Sequence, residues 1–312
     1  MVFDFAQSIR DRRPKLRDTS VSAYATSLKT LAPEGGENIQ DLSFLKDTKQ
    51  VLSKLEKYKP NTRKNHLNAA VVVLQESTDP EFVAAVKIYE GLRDKYQEEY
   101  LDQVKTHQKT PSQEANWIEW PEYELMVKHM ADGVKWRGEM TGKEKMRFQE
   151  YLVALLHLNF PVRNDFASLV VVTMGEWRGL PALEQTKRNY YIHGQNFHRF
   201  VLNQYKTSDK YGQRVLEVKG EALAKALRRW NRVNQSPHFL RNSKGVPLDS
   251  NGITKTLGRV GQREKGKTLG SSILRHSYLS HKYHGVAQEK EKDAALMMHS
   301  VETQGDYIKT GD

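Results

Sequence analysis

No cysteine occurs among the 312 residues, which excludes disulfides, thiolate zinc sites and cysteine nucleophiles together. Long apolar runs are missing as well. The two longest, Ala69 to Leu74 and Tyr151 to Phe160 (the second interrupted by His157 and Asn159), are well short of the roughly 20 residues that a bilayer-spanning helix needs. The chain opens Met1-Val2-Phe3-Asp4, with no apolar segment leading to a cleavage signal, so secretion is not expected. There is no internal repeat and no low-complexity tract. Acidic residues are in the minority, 38 Asp plus Glu against 49 Lys plus Arg, a formal net charge of +11. An intracellular protein without a membrane span is expected, and its charge suits a densely negative partner, of which nucleic acid is the commonest.

The periodicity predicts a mainly α protein with a small β-sheet, in two domains. Thr19-Ser20 suits the start of a helix through Tyr24 and Leu28, and Gly35-Gly36 interrupts the chain after it. Phe44-Leu45, Val51-Leu52 and Leu55 recur at helical spacing. Pro60-Asn61-Thr62 opens a third helix, and a charged amphipathic fourth runs from about Pro80 to Val104. Arg63 and Lys64 are the DNA-binding candidates here, because cations at a helix N-terminus are disfavoured unless something compensates them. Polar residues from Thr106 to Gln113 mark a linker. The expected domains are 1–106, a linker at 107–117, and 118–312. In the second domain helices are expected at 121–131 and 143–159. Leu169 to Met174 and Tyr190 to Ile192 read as strands, and Arg199 to Leu202 pairs with Arg214 to Val218 across a turn that contains Gly212.

The chemistry-bearing candidates, in chain order, are Arg163, Lys206, Arg275, His299 and Tyr307. Each has an ordinary explanation alone. Arg163 can pair with Asp165, Lys206 can be a solvent-exposed turn lysine in competition with Lys210, His299 can cap a helix C-terminus, and Tyr307 can pack. Ser271 or Ser272 can cap the helix that carries Arg275, which explains the serines but not an arginine there. Together, in a basic chain, they read as a phosphate pocket with its nucleophile, because a tyrosine attacks a phosphodiester only where other groups stabilise the added negative charge. His281 and His284 suggest a metal pair, but no carboxylate or cysteine completes a site, and none is expected.

This order of residues resembles the tyrosine recombinases, the phage-integrase family. Its pattern is an arginine, a hairpin lysine, His-x-x-Arg, His or Trp, and Tyr. Here 24 residues separate Arg275 from His299 and 8 separate His299 from Tyr307, which fits. Lys59-Pro60-Asn61-Thr62-Arg63-Lys64 looks like part of that family's helical core-binding domain. The resemblance implies a helical N-terminal core-binding domain and an α+β catalytic domain acting on double-stranded DNA. Tyr307 would form a 3′-phosphotyrosyl link, with Arg163 and Arg275 on the non-bridging oxygens, Lys206 as general acid and His299 donating to a phosphate oxygen. The bond energy is retained, so no cofactor is implied. Self-association on DNA as a dimer or tetramer is implied, in cytoplasm or nucleus, and the overall flavour is similar to recombinases of large DNA viruses and mobile elements.

Two features depart from the pattern. The family's histidine three residues before the second arginine falls at Ser272, so its proton-handling role is vacant or passes to His276 or to water. The sequence ends five residues after Tyr307, where many members carry a further helix that docks on a neighbouring subunit, so that mode of assembly stays open. Two alternatives stand beside recombination: a type IB topoisomerase, which rejoins the original strand, and a DNA-binding relative that has lost catalysis.

Overall fold

The structure, a computed structural model, describes residues 3–195, 197–298 and 300–301. The chain divides into two compact units, Met1–Lys109 and Thr110–Asp312. The mainly helical composition with one four-stranded sheet is the fold class expected from the sequence.

The first unit contains α1 (Phe5–Arg12), α2 (Asp18–Leu31), α3 (Thr48–Leu55), α4 (Pro60–Leu74) and α5 (Pro80–Lys105), with 3₁₀ turns at Pro33–Gly36 and Ser43–Lys46. Helix α4 is the hub. Leu67, Ala69, Ala70, Val71, Val73 and Leu74 are buried, and a helix apolar on most sides must be surrounded. It packs against α5 and α2, and the small side chains Ala69 and Ala70 allow close approach. Tyr89 Oη donates to the Leu45 carbonyl at 2.7 Å inside the core, which fixes the second 3₁₀ turn on α5. Lys46 bridges Asp79 and Glu81, each at 2.7 Å, and Asp79 in turn caps α5.

The polar stretch expected to be a linker contains a helix, α6 (Pro111–Asn116). Thr110 and Gln113 form a capping box, each side chain bonding the other's backbone N–H. A Ser/Thr-Pro-rich polar run is linker-like in composition, yet it also supplies the groups that satisfy a helix N-terminus. Asn116 Oδ1 then accepts from the Thr268 backbone N–H at 2.7 Å, tying α6 to the rest of the second unit.

That unit is built round α8 (Gly142–Asn159), buried continuously from Phe148 to His157. It packs on α7 (Trp120–Asp132), α12 (Glu221–Val233) and α13 (Ser250–Lys265). On α12, Leu223, Ala226, Leu227, Trp230 and Val233 form the apolar stripe that period 3.6 produces. Trp230 stacks on Phe148 with ring centroids 6.2 Å apart, and its Nε1 donates to the Phe239 carbonyl at 2.7 Å. Glu150, 7% exposed, binds Arg263 at 2.6 Å and Arg259 at 3.4 Å, clamping α8 to α13.

The sheet runs β1 (Val170–Thr173), β2 (Tyr190–His193), β3 (His198–Leu202), β4 (Arg214–Glu217) in that spatial order. The β1–β2 pair is parallel, across the short helices α9 (Met174–Gly179) and α10 (Ala182–Lys187); the other pairs are antiparallel. Alternation sends Tyr191, Phe200 and Leu202 into the main core, while Tyr190, Ile192 and Val201 cover a second face with Trp177. The hairpin register Leu202↔Arg214 leaves a connection that holds α11 (Ser208–Tyr211). Gly212 ends it at φ +62°, where a side chain would be strained.

One helix, α14 (Ser271–Leu296), carries Arg275. Its N-cap is Gly270, with no side-chain cap, so neither Ser271 nor Ser272 has the capping role expected of them. Both lie inside the first turn, past the position from which a hydroxyl reaches the free N–H groups. Among the described residues no helix is long and apolar enough to cross a membrane.

Candidate active site

Two cations 112 positions apart in the chain meet in the second unit. Arg163 leaves α8 through Phe160-Pro161-Val162, and several bonds hold this turn. The Val162 N–H donates to the Phe160 carbonyl at 2.7 Å. Asn164 Nδ2 donates to Ser250 O and Thr254 Oγ1 on α13, at 2.8 and 2.7 Å. Phe166 is fully buried against Phe160 and Phe200. The turn is thus anchored on both sides of Arg163, whose own side chain is half-exposed.

Arg275 begins the second turn of α14. Its Nε donates to the Ser271 carbonyl at 3.2 Å, which leaves the two Nη groups free of protein partners among the described residues. Burial lowers its proton affinity, the positive charge of Arg163 lowers it further, and Asp165 opposes both. Asp165 shows the complementary effect. Burial raises its carboxyl above the ordinary range, against the pull of Arg163 and Arg275. The three groups are therefore electrostatic neighbours, yet among the described residues neither arginine closes an ion pair with Asp165 or any other carboxylate. Two half-buried guanidiniums facing a reluctant carboxyl form a site short of negative charge. Each presents paired N–H donors that match phosphate oxygens.

A fourth group gives no signal in the sequence, where it reads as an interruption of an apolar stretch. His157 is 1% exposed, and its Nδ1 lies 2.9 Å from the Val153 carbonyl. A carbonyl only accepts, so Nδ1 carries the proton and Nε2 keeps its lone pair; Nε2 is buried without a partner. Burial brings its pKa down to about 4, the bond to Val153 pulls the other way, and the charge of Arg275 adds to the lowering. His157 stays neutral beside the arginine pair.

Lys206 is exposed in the β3–α11 connection and has no hydrogen-bond or ion-pair partner among the described residues. Lys210, its competitor, has its ammonium 5.2 Å from the Tyr211 ring. Of the two lysines, Lys206 keeps the freer side chain. Ser272 and His276 are both exposed on α14. His276 follows Arg275 and so points about 100° away round the helix, whereas Ser272, three residues before it, shares its side. His299 and Tyr307 lie outside the described residues.

Arg63 and Lys64 are engaged within the first unit. Arg63 donates to the Glu56 and Tyr58 carbonyls, the latter at 2.7 Å, just past the end of α3. Lys64 donates to Gln97 at 2.9 Å and lies 5.0 Å from the Tyr100 ring. The compensation that a cation at a helix N-terminus requires thus comes, for Arg63, from the negative end of α3. His281 and His284 are exposed, and among the described residues no three His, Asp or Glu side chains are grouped to hold a metal.

No family model matches the chain, and no curated protein matches it in sequence. Among solved structures it is similar to XerH site-specific recombinase bound to difH substrate in a pre-cleavage complex. The match has 14% identity and a TM-score of 0.40, covering 99% of this chain and 91% of that one. It is also similar to the same recombinase bound to palindromic difH in a post-cleavage complex, at 13% identity and a TM-score of 0.44 over the same shares of each chain.

Proposed function

We propose that this protein breaks and rejoins double-stranded DNA as a site-specific recombinase. The observation that carries the reading is the pair Arg163 and Arg275, brought together from the turn after α8 and from α14, with no carboxylate closed on either among the described residues. In the proposed reaction the Tyr307 hydroxyl gives up its proton to water as its oxygen forms a bond to the scissile phosphorus and the P–O5′ bond breaks. Lys206 delivers its proton to the leaving 5′ oxygen. The two guanidiniums hold the non-bridging oxygens as negative charge builds on them, and His299 donates to one of these oxygens. The product is a 3′-phosphotyrosyl strand and a free 5′-hydroxyl, and attack by a 5′-hydroxyl from another duplex reverses the step. Exchange between duplexes brings more than one copy of the protein together on DNA. The net charge of +11 supplies phosphate attraction, and binding weakens as salt rises.

The test uses nicked suicide duplexes drawn from DNA bordering the coding sequence, with wild type and Tyr307→Phe compared side by side. Wild type is expected to form an SDS-resistant covalent adduct that the variant does not. Tight binding with no adduct across the panel would turn the reading into that of a DNA-binding protein. An adduct accompanied by supercoil relaxation but no two-site exchange would turn it into that of a topoisomerase.

A further inference from the structure

The side chain of Asn189 joins the two turns on which the proposed site depends. Asn189 is 8% exposed and immediately precedes β2. Its Oδ1 accepts from the backbone N–H groups of Asn203 and Gln204, at 2.8 and 2.7 Å. Its Nδ2 donates to the Gln204 carbonyl at 2.8 Å and to the Asp165 carbonyl at 3.4 Å. A side-chain amide has two donors and two acceptor lone pairs, and here all four are used on backbone. The β3 ladder ends at Leu202, so beyond that residue the sheet no longer directs the chain. Asn189 takes over, holding the two residues that lead towards Lys206 and touching the turn that carries Arg163 and Asp165.

The neighbouring bonds point the same way. Asn203 Nδ2 donates to the Gln185 and Arg188 carbonyls, at 2.8 and 2.6 Å. Gln204 Nε2 donates to the Lys187 carbonyl, and Tyr205 Oη donates to Gly212 at 2.6 Å. Residues 203, 204 and 205 are each pinned, while the exposed Lys206 side chain has no hydrogen-bond or ion-pair partner among the described residues. A general acid works only within hydrogen-bond reach of its leaving group, so fixing the backbone at its base matters more than adding contacts along its stem. Three of the four Asn189 bonds are short and end on residues 203 and 204. The longest goes to the arginine turn.

We propose that Asn189 is a positioning residue that sets the Lys206 loop against the Arg163 turn, so that proton delivery to the 5′ oxygen depends on it. This rests on the strand-transfer reading above. The experiment compares two versions of the suicide duplex that gives the adduct, one with the natural 5′ oxygen at the scissile bond and one with sulfur in its place. A thiolate leaves without protonation, so the sulfur substrate bypasses the general acid.

Asn189→Leu and Lys206→Ala are expected to lose about 100-fold in adduct formation on oxygen, the scale of a small misplacement of a catalytic group. Both should recover on sulfur, whereas Arg163→Ala should fail on both. Loss of the fold would not be rescued by a change of leaving atom. Should Asn189→Leu prove unfolded by thermal melting, Asn189→Asp keeps the size and the acceptor, loses both donors, and is read in the same way. Wild-type rates for an Asn189 variant on oxygen, or equal impairment on the two substrates, would overturn the proposal. If Lys206→Ala is not rescued by sulfur, Lys206 is not the acid and the underlying assignment falls on its own evidence. No adduct from wild type on either substrate overturns both readings.

Discussion

Two carboxylates in the second unit, Glu150 and Asp165, each have two arginines as neighbours, in opposite geometry. Around Glu150 the carboxylate is closed on Arg263 at 2.6 Å and on Arg259 at 3.4 Å, and Arg263 shares a further bond with Glu264. Burial alone would lower the proton affinity of Arg263, but its bonds to Glu264 and Glu150 outweigh that and raise it. Around Asp165 no ion pair closes among the described residues, and Arg275 is pushed the other way by burial and by Arg163. One cluster is complete and holds α8 to α13. The other is short of negative charge and has anchored backbone on each side. The residue types alone do not distinguish the two clusters; the state of their neutralisation does.

Breaking each cluster should therefore give different kinds of loss. The largest effect is expected from Arg163→Ala or Arg275→Ala. Loss of one oxyanion donor should slow adduct formation on the order of 100- to 1,000-fold, about 2.7–4 kcal/mol, with little change in melting temperature. A fall in stability to match would place these arginines with Glu150 instead. Glu150→Ala should do the reverse. It leaves Arg259 without its acceptor and Arg263 held by Glu264 alone among the described residues, at about 1–3 kcal/mol by denaturant titration, while the activity of the folded fraction is kept.

A smaller effect sharpens the contrast directly. Sulfate should stabilise the protein through the open cluster, by about 1.4 kcal/mol at tenfold its dissociation constant. That increment should vanish in Arg275→Ala and persist in Arg263→Ala. An equal increment in both variants would mean that the anion does not choose between the clusters.

The smallest effect at neutral pH is expected from His157→Leu. The folded-state pKa of His157 lies near 4, below the unfolded value of about 6.5. The unfolded chain therefore binds a proton that the folded chain refuses, and stability falls as pH drops from about 6.5 towards 4. The leucine variant should lose that part of the pH dependence while behaving like wild type at pH 7. An unchanged acid limb in chemical denaturation would show that His157 is not the group being charged.

Much of the architecture is legible in the sequence, because helix and strand periods are local properties. Pro60 and Pro80 each begin a helix at the expected place, and the strands at Val170–Thr173, Tyr190–His193 and His198–Leu202 coincide with β-branched and aromatic runs. The readings that differ are those in which a local signal has two meanings. Thr110 to Gln113 is polar enough to be a linker and is a capping box. Ser271 and Ser272 are good capping residues placed one or two positions too late. Arg63 reads as uncompensated because the carbonyls of Glu56 and Tyr58 lie beyond the window of a single helix. Asn189 carries no sequence signal, since an asparagine before a strand is ordinary until its four backbone partners are known.

What the sequence by itself determined is which chemistry is possible: a basic chain without cysteine, with arginines, a hairpin lysine, a histidine and a tyrosine in a telling order. It also set the elements that carry them, because capping and periodicity act over a few residues. Only the tertiary structure decided which arginines are spent on carboxylates and which are left open. It also decided that, among the described residues, Lys206 keeps a freer side chain than Lys210, and that a buried histidine lies beside Arg275. Those outcomes depend on burial and on charges that meet across more than a hundred residues of chain, where Coulomb interaction and desolvation depend on distance in space and not on position in sequence.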